Sequence, residues 1–292
     1  MQYIIALFFC SIINLILGVF VRKGFLLLFS MVLFSGDVLF SSSVITPERC
    51  IEYFRSTGRY YDLEATIPET VVFCHGPSDG YCMQNFAPFE EKSPIKNIYI
   101  LKGTKIGIMG RAGTGVGGIS LANQMEKFIG LGTKRFILVG NVGALSREFP
   151  VGTTFVCEKA LKKDDGLSQL YAPSADPFVE ASQFMLKSWN CFTKNAQRPV
   201  ATWTFPSLFF QTPERIREAR KMGASVVEME AATLYAAARA RGVDALALFV
   251  VSDQVTEEGW TPNFLHSDVE GAYPQLCEHI KEFCKLMAFK SK

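Results

Sequence analysis

Two stretches of this chain, residues 136–139 and 245–251, carry apolar side chains on both faces of any strand they form. Such strands are stable only inside a sheet covered by other elements on each side. Around them, β-rich runs alternate with segments of helical period. Strands are expected at 70–74, 97–101, 105–109, 135–139, 153–158, 200–204, 225–227 and 245–251. Helices are expected at 120–129, 177–193, 213–222, 231–241 and 270–286. Thr212 ahead of Pro213 suits a helix start, and Gly242 after Arg241 suits a helix end. The fold class is therefore α/β: a single-domain, three-layer sandwich with its central sheet covered by helices.

No internal repeat and no Gly/Ser-rich linker divides the body, so residues 45–292 read as one domain behind a hydrophobic segment, 1–44. With a net charge of +2 and 20% charged residues, nothing favours nucleic acid as a partner. The 8 cysteines are scattered without a Cys-x-x-Cys pair, and there are only 3 histidines, which leaves a metal site little to draw on. The cysteines read as mostly reduced core residues, since a domain of this size needs no staples. Residues 3–21 carry no charge and would span roughly 28 Å as a helix, close to a bilayer core. Three readings compete. The preferred one is a membrane anchor with Arg22 and Lys23 on the cytoplasmic side and a cytosolic body. The others are a cleaved secretory signal built on 25–35, and a cytoplasmic protein that starts at Met31.

Chemistry concentrates in two places. In Val227-Glu228-Met229-Glu230-Ala231-Ala232, two carboxylates flank a methionine at the start of a helix of small residues. Shortly after, the buried strand 245–251 ends on Ser252-Asp253. A sugar hydroxyl needs a fixed acceptor and a departing heterocycle needs a proton donor, and these positions can supply both. A third feature, Gly113-Thr114-Gly115-Val116-Gly117-Gly118, fits G-x-G-x-x-G between a strand and a helix. The following strand ends at Val139-Gly140-Asn141 with no acidic residue for a ribose, which argues against a dinucleotide site. The turn reads instead as one whose amides, around Gly115, approach a small anion or a sugar, with a purely structural turn equally open.

Four segments in order resemble the nucleoside phosphorylase family, which includes purine and uridine phosphorylases and methylthioadenosine nucleosidases. They are Arg135 to Leu145 with its Gly-x-x-Gly turn, Val151-Gly152-Thr153-Thr154-Phe155, Asp164-Asp165-Gly166-Leu167-Ser168, and Glu228-Met229-Glu230 followed by Ser252-Asp253. The likeness runs from about Thr46 to Phe283. It implies that family's mixed central sheet, with Glu230 as ribose ligand, Met229 packed on the sugar and Asp253 as general acid. Phe209 would stack on the base, by similarity of Ser207-Leu208-Phe209-Phe210, with Phe205 second. Asn141, with turn amides, would face phosphate or water. The resemblance implies phosphate as co-substrate, no metal or organic cofactor, and a homo-oligomer built from dimers.

The pattern also breaks. The phosphorylases resembled carry an arginine where this chain has Leu138, and their Pro-Gly-Asp-Pro-x-Arg loop is replaced by Cys74-His75-Gly76-Pro77-Ser78-Asp79-Gly80. Arg111, beside the glycine-rich turn, is a candidate substitute cation, with a solvated surface arginine the preferred reading. Arg215 lies near a uracil-binding arginine of uridine phosphorylases, but Pro213 replaces the accompanying glutamine. The leading expectation is a nucleoside phosphorylase. A nucleosidase and a non-catalytic nucleoside-binding protein on the same scaffold stay open, as does the choice of purine or pyrimidine.

Overall fold

The computed structural model describes residues 43–58, 65–76, 78–91, 93, 95–194 and 196–289. The apolar runs assemble into one ten-stranded mixed sheet. Its strands are β1 (Thr70–Cys74), β2 (Ile98–Ile100), β3 (Ile106–Met109), β4 (Arg135–Ala144), β5 (Thr154–Leu161), β6 (Phe178–Glu180), β7 (Pro199–Thr204), β8 (Val226–Glu228), β9 (Asp244–Thr256) and β10 (Gly259–Pro262). β4 and β9, the two strands apolar on both faces, lie parallel and side by side at its centre, buried almost end to end. From β9 the sheet continues antiparallel to β5, then parallel to β7 and β8, and β8 returns antiparallel to β4. The path β4–β9–β5–β7–β8 thus closes on itself as a small barrel, which leaves these strands only short stretches of free edge. β1, β3 and β2 extend the sheet from the other edge of β4.

The helices are α1 (Pro47–Thr57), α2 (Ser78–Phe86), α3 (Arg111–Thr114), α4 (Gly118–Leu131), α5 (Gly166–Tyr171), α6 (Gln183–Phe192), α7 (Pro213–Lys221), α8 (Ala231–Arg241) and α9 (Ser267–Phe289). α8 packs against α4 and α5, and α1 against α4, to form one helical layer. α8 is buried from Ala231 through Ala238, so its small side chains let it lie close under the barrel. α2 and α9 pack together in the other layer, where Trp189 of α6 meets Phe283 of α9 edge-on at 5.1 Å. Thr212 caps α7 and Gly242, at φ 64°, closes α8, both as the sequence indicates.

Three expectations need correction. The stretch 177–193 is not one helix: Phe178–Glu180 adds antiparallel to β5, and Ser182 then caps α6 by accepting from the Met185 N–H at 3.4 Å. Backbone pairing on an open strand wins there over helical period. Cys82 and Cys277 form a disulfide that ties α2 to α9, while Cys50, Cys74, Cys157, Cys191 and Cys284 are free as expected. Membrane-spanning character is also overturned among the described residues, where no helix is long and apolar enough to cross a bilayer. α9, the longest helix described, carries Asp268, Glu270, Glu278, Lys281, Glu282 and Lys285 outside its buried positions. The segment 3–21 itself lies outside the described residues.

Candidate active site

β1 ends opposite Val139, and β8 reaches β4 only at Gly143 and Ala144. Between them, Gly140, Asn141 and Val142 keep one edge of β4 open, while β9 covers the other. Such a change of neighbour at the carboxyl end of a parallel strand is where α/β sheets place ligands. Three segments converge on the opening: His75-Gly76 leaving β1, Glu228-Met229-Glu230 leaving β8, and the glycine turn before α4.

Glu230 is where they meet. Its Oε1 accepts from the Gly117 N–H at 2.7 Å and lies 3.5 Å from His75 Nδ1, and its Oε2 accepts from the Met229 N–H at 3.2 Å. Gly117 sits at φ 86°, a conformation that costs glycine little and aims this amide at the carboxylate. The other ring nitrogen of His75 is 2.9 Å from Thr114 Oγ1. Although Glu230 stands at the cap position of α8, its side chain does not cap the helix. Glu228 does so instead. Its Oε2 accepts from the Glu230 and Ala231 N–H groups at 2.6 Å each, and its Oε1 from the hydroxyls of Thr202 and Thr204. Thr204 Oγ1 in turn accepts from the Ala232 N–H at 2.9 Å. Burial, and then the charge of Glu230, push the Glu228 carboxyl up, and these donors pull it back. This division of labour frees Glu230 for a ligand. Glu228→Ala strands two amides and two hydroxyls, so it should destabilise the fold by about 2–3 kcal/mol. A urea midpoint that does not move would show that α8 is capped otherwise.

Asp253 owes its position to an irregularity. The β4–β9 register pairs Val142 with Val251 but Gly143 with Asp253, so Ser252 is an extra residue on β9. Ser252 Oγ donates to Asp253 Oδ1 at 2.7 Å, and the Trp260 indole N–H donates to Oδ2 at 2.8 Å. Burial raises the Asp253 pKa, and these two hydrogen bonds oppose the rise. A Cβ on Gly143 would lie 2.6 Å from Val255 Cγ2 and 3.3 Å from Asp253 Oδ2, so glycine here chiefly clears Val255 and lets the carboxyl sit close to β4. Val227 and Asp253 flank Gly143 on opposite sides. At two strand spacings their backbones are roughly 10 Å apart, and Glu230 follows Val227 by three residues. Both carboxyls therefore lie at the same end of the barrel, each 7% exposed.

Met229 is half-buried beside Glu230. Asn141 accepts from the Tyr273 hydroxyl through Oδ1, which leaves Nδ2 turned toward Gly76, where a Cβ would lie 3.3 Å away. Gly115 is a turn residue against Ser120, and the amide that reaches the site is that of Gly117. Phe209 is 92% exposed in the short 3-10 turn Leu208–Phe210. Phe205 is buried against Trp203 at 4.6 Å, with the Arg215 guanidinium 5.2 Å above its ring. Arg215 also donates to the Phe210 carbonyl, so it is engaged locally. Asp164 and Asp165 accept from Trp203 and Thr233 respectively, and so brace the fold. Leu138 is buried and Arg111 is exposed. Among the described residues, no group of three or more His, Cys, Asp or Glu is placed to hold a metal. His75, Thr114, Gly117 and Trp260 were not singled out for the site from sequence. His75, one of few histidines and directly after a strand, gave the clearest missed signal.

A mixed sheet closed into a barrel, with buried carboxyls at one end of its strands, defines the class of α/β fold that houses a ligand at its switch point. Residues 97–286 match the phosphorylase superfamily, and the chain belongs to that superfamily of nucleoside phosphorylases and nucleosidases. A DeoD-type purine nucleoside phosphorylase of Shewanella amazonensis is 30% identical over 204 residues, 66% of this chain and 84% of that protein. One from Streptococcus pneumoniae serotype 19F is 28% identical over 159 residues, 53% of this chain and 65% of that protein, just under two thirds of its length. Among solved structures, futalosine hydrolase of Helicobacter pylori superposes with a TM-score of 0.58 at 15% identity, covering 77% of this chain and 98% of that one. An MTAN mutant of the same organism, solved with 5'-methylthioadenosine in its active site, gives 0.60 at 14% identity, covering 74% and 98%. At such identity these structures speak to the fold alone.

Proposed function

We propose that this chain breaks the N-glycosidic bond of a nucleoside and passes the pentose to phosphate, as a nucleoside phosphorylase does. The observation that carries this reading is the Glu230 carboxylate, buried, held by the Gly117 amide, and released from capping duty by Glu228. Glu230 would accept from two vicinal hydroxyls of the ribose in a charge-assisted, two-point grip, with Met229 as an apolar wall beside the sugar. Asp253, in its protonated form, would give its proton to the leaving base as the bond breaks. Positive charge develops on the sugar in that step, and a fixed carboxylate nearby stabilises it. Phosphate would enter at the open edge of β4, where the Asn141 amide and the His75 ring flank Gly76. The proposed assembly is a homo-oligomer built from dimers, and the exposed turn Leu208–Phe210 is suited to burial on assembly.

One observation favours a second reading. Leu138 is buried where the phosphorylases resembled carry an arginine, so a phosphate dianion would be held without a guanidinium. Water has no such need, which makes the hydrolytic version of the same reaction the rival. A chromatographic screen of nucleosides, with and without phosphate, tests both. Base release that requires phosphate or arsenate is the expected result. Release at the same rate without either anion establishes hydrolysis, and nucleoside binding with no release from any substrate leaves a binding protein.

A further inference from the structure

We propose that Trp260 is the aromatic residue that meets the leaving base, and that its indole N–H positions the Asp253 carboxyl for proton delivery. This inference rests on the proposed function and assigns the base side of that site to a residue the sequence did not suggest. β10 is exposed along its whole length and forms a hairpin with β9. Trp260 pairs with Val255, so its side chain leaves the same face of the hairpin as Val255 and, two residues earlier, Asp253. From there it reaches back to the carboxyl, 2.8 Å from Oδ2, yet 61% of the residue remains in solvent. A buried acid is thus joined to an aromatic ring that stands partly in the open. Phe264 backs the indole at 6.1 Å. A flat heterocycle that approaches Asp253 meets an aromatic face already fixed at its polar end. The alternatives are less well placed. Phe205 is packed against Trp203, and Phe209 stands in solvent.

The groups around Asp253 also make the role of the indole readable. Its own strand brings Ser252 and Val255, β4 brings Gly143, β8 brings Val227, and the hairpin brings Trp260 and Pro262. None of these titrates, so burial sets the direction of the shift and the two donated hydrogen bonds are what opposes it. A donor to a carboxylate favours its charged form. Losing the indole N–H therefore lets the acid keep its proton to higher pH.

The test uses the full chain and Trp260→Phe, which keeps a ring and loses the N–H, together with Trp260→Leu. The sequence has 3 tryptophans, and Trp189 and Trp203 are fully buried, so solvent-exposed indole emission reports on Trp260. Titration with adenosine, inosine and uridine should quench that emission for the nucleoside that is cleaved. Trp260→Phe should move the high-pH fall of kcat/KM upward by about half a pH unit or more, a shift that a purely structural residue would not produce. Trp260→Leu should raise the nucleoside KM roughly tenfold through the lost stacking. Wild-type cleavage combined with an unmoved pH limb in Trp260→Phe, or with unquenched emission at saturating nucleoside, overturns the Trp260 assignment alone. Absence of cleavage by wild type across the nucleosides overturns the proposed function, and this inference with it.

Discussion

Glu230→Gln is expected to lower kcat/KM for a ribonucleoside about a hundredfold or more while leaving the fold almost untouched. Glutamine keeps the length and shape of the side chain but removes the charge and one of two acceptor oxygens. Each hydrogen bond from a sugar hydroxyl to a charged group is worth roughly 1.5–3 kcal/mol. Weakening two of them therefore costs on the order of 3 kcal/mol, about two decades in rate at 1.4 kcal/mol per decade. The amide also has to place its one oxygen against the Gly117 N–H, now 2.7 Å from Oε1, which leaves its NH2 to face the sugar. Stability should change little, because Glu228 and Thr204 satisfy the first amides of α8 whatever stands at position 230 and only the longer 3.2 Å bond from the Met229 N–H is lost. Steady-state kinetics beside a calorimetric Tm measure both halves of this expectation. A 2'-deoxynucleoside sharpens it: wild type should discriminate against the missing hydroxyl, and the variant should lose most of that preference. Undiminished activity in Glu230→Gln would remove this carboxylate from the sugar site.

The contrast between Glu230 and its neighbour shows what the sequence could and could not convey. Strands β4 and β9 were readable because residues apolar on both faces allow only a covered sheet. β1 and α8 were readable end to end from composition and a glycine stop. The carboxylates at 228, 230 and 253 were visible as a local spacing. Which glutamate caps the helix and which is free depends on Thr204 reaching across from β7, a matter of strand register that no local pattern encodes. His75 and Gly117 meet Glu230 from distant parts of the chain for the same reason. The Cys82–Cys277 disulfide and the Tyr273–Asn141 hydrogen bond likewise join α9 to far earlier elements. Local period reports which face of a segment is buried, whereas closure of the barrel from β8 back to β4 decides what lies opposite it. The failed helix at 177–193 shows the same limit, since three residues of it are claimed by an edge of β5. Trp260 was hidden by its own ordinariness, an aromatic in a short exposed strand that matters only because Ser252 is an extra residue on β9.

Asp253→Asn carries the other large effect, an expected loss of roughly 10²–10⁴-fold in kcat, the usual contribution of a positioned general acid. The sign of the pH dependence follows from burial. Asp253 holds its proton more tightly in the folded protein than in the unfolded chain, because the charged form is poorly solvated there. Activity is therefore present below the raised pKa and falls as pH climbs through it, and the residual activity of the variant should lack that fall. Stability runs with the same sign. A carboxyl with a raised folded pKa contributes least once the pH exceeds that value, since the fold must then bury a charge. Asparagine carries no such cost, so any Tm deficit of the variant should shrink, or reverse, as pH increases. Loss of rate without loss of Tm above neutral pH then separates a missing proton donor from a damaged fold. Leaving-group chemistry gives the final discrimination: an aryl riboside whose phenolate departs without protonation should be cleaved by Asp253→Asn at close to the wild-type rate. If that substrate suffers as badly as a nucleoside, Asp253 holds the sugar or the barrel in place, and the proton reaches the base from elsewhere.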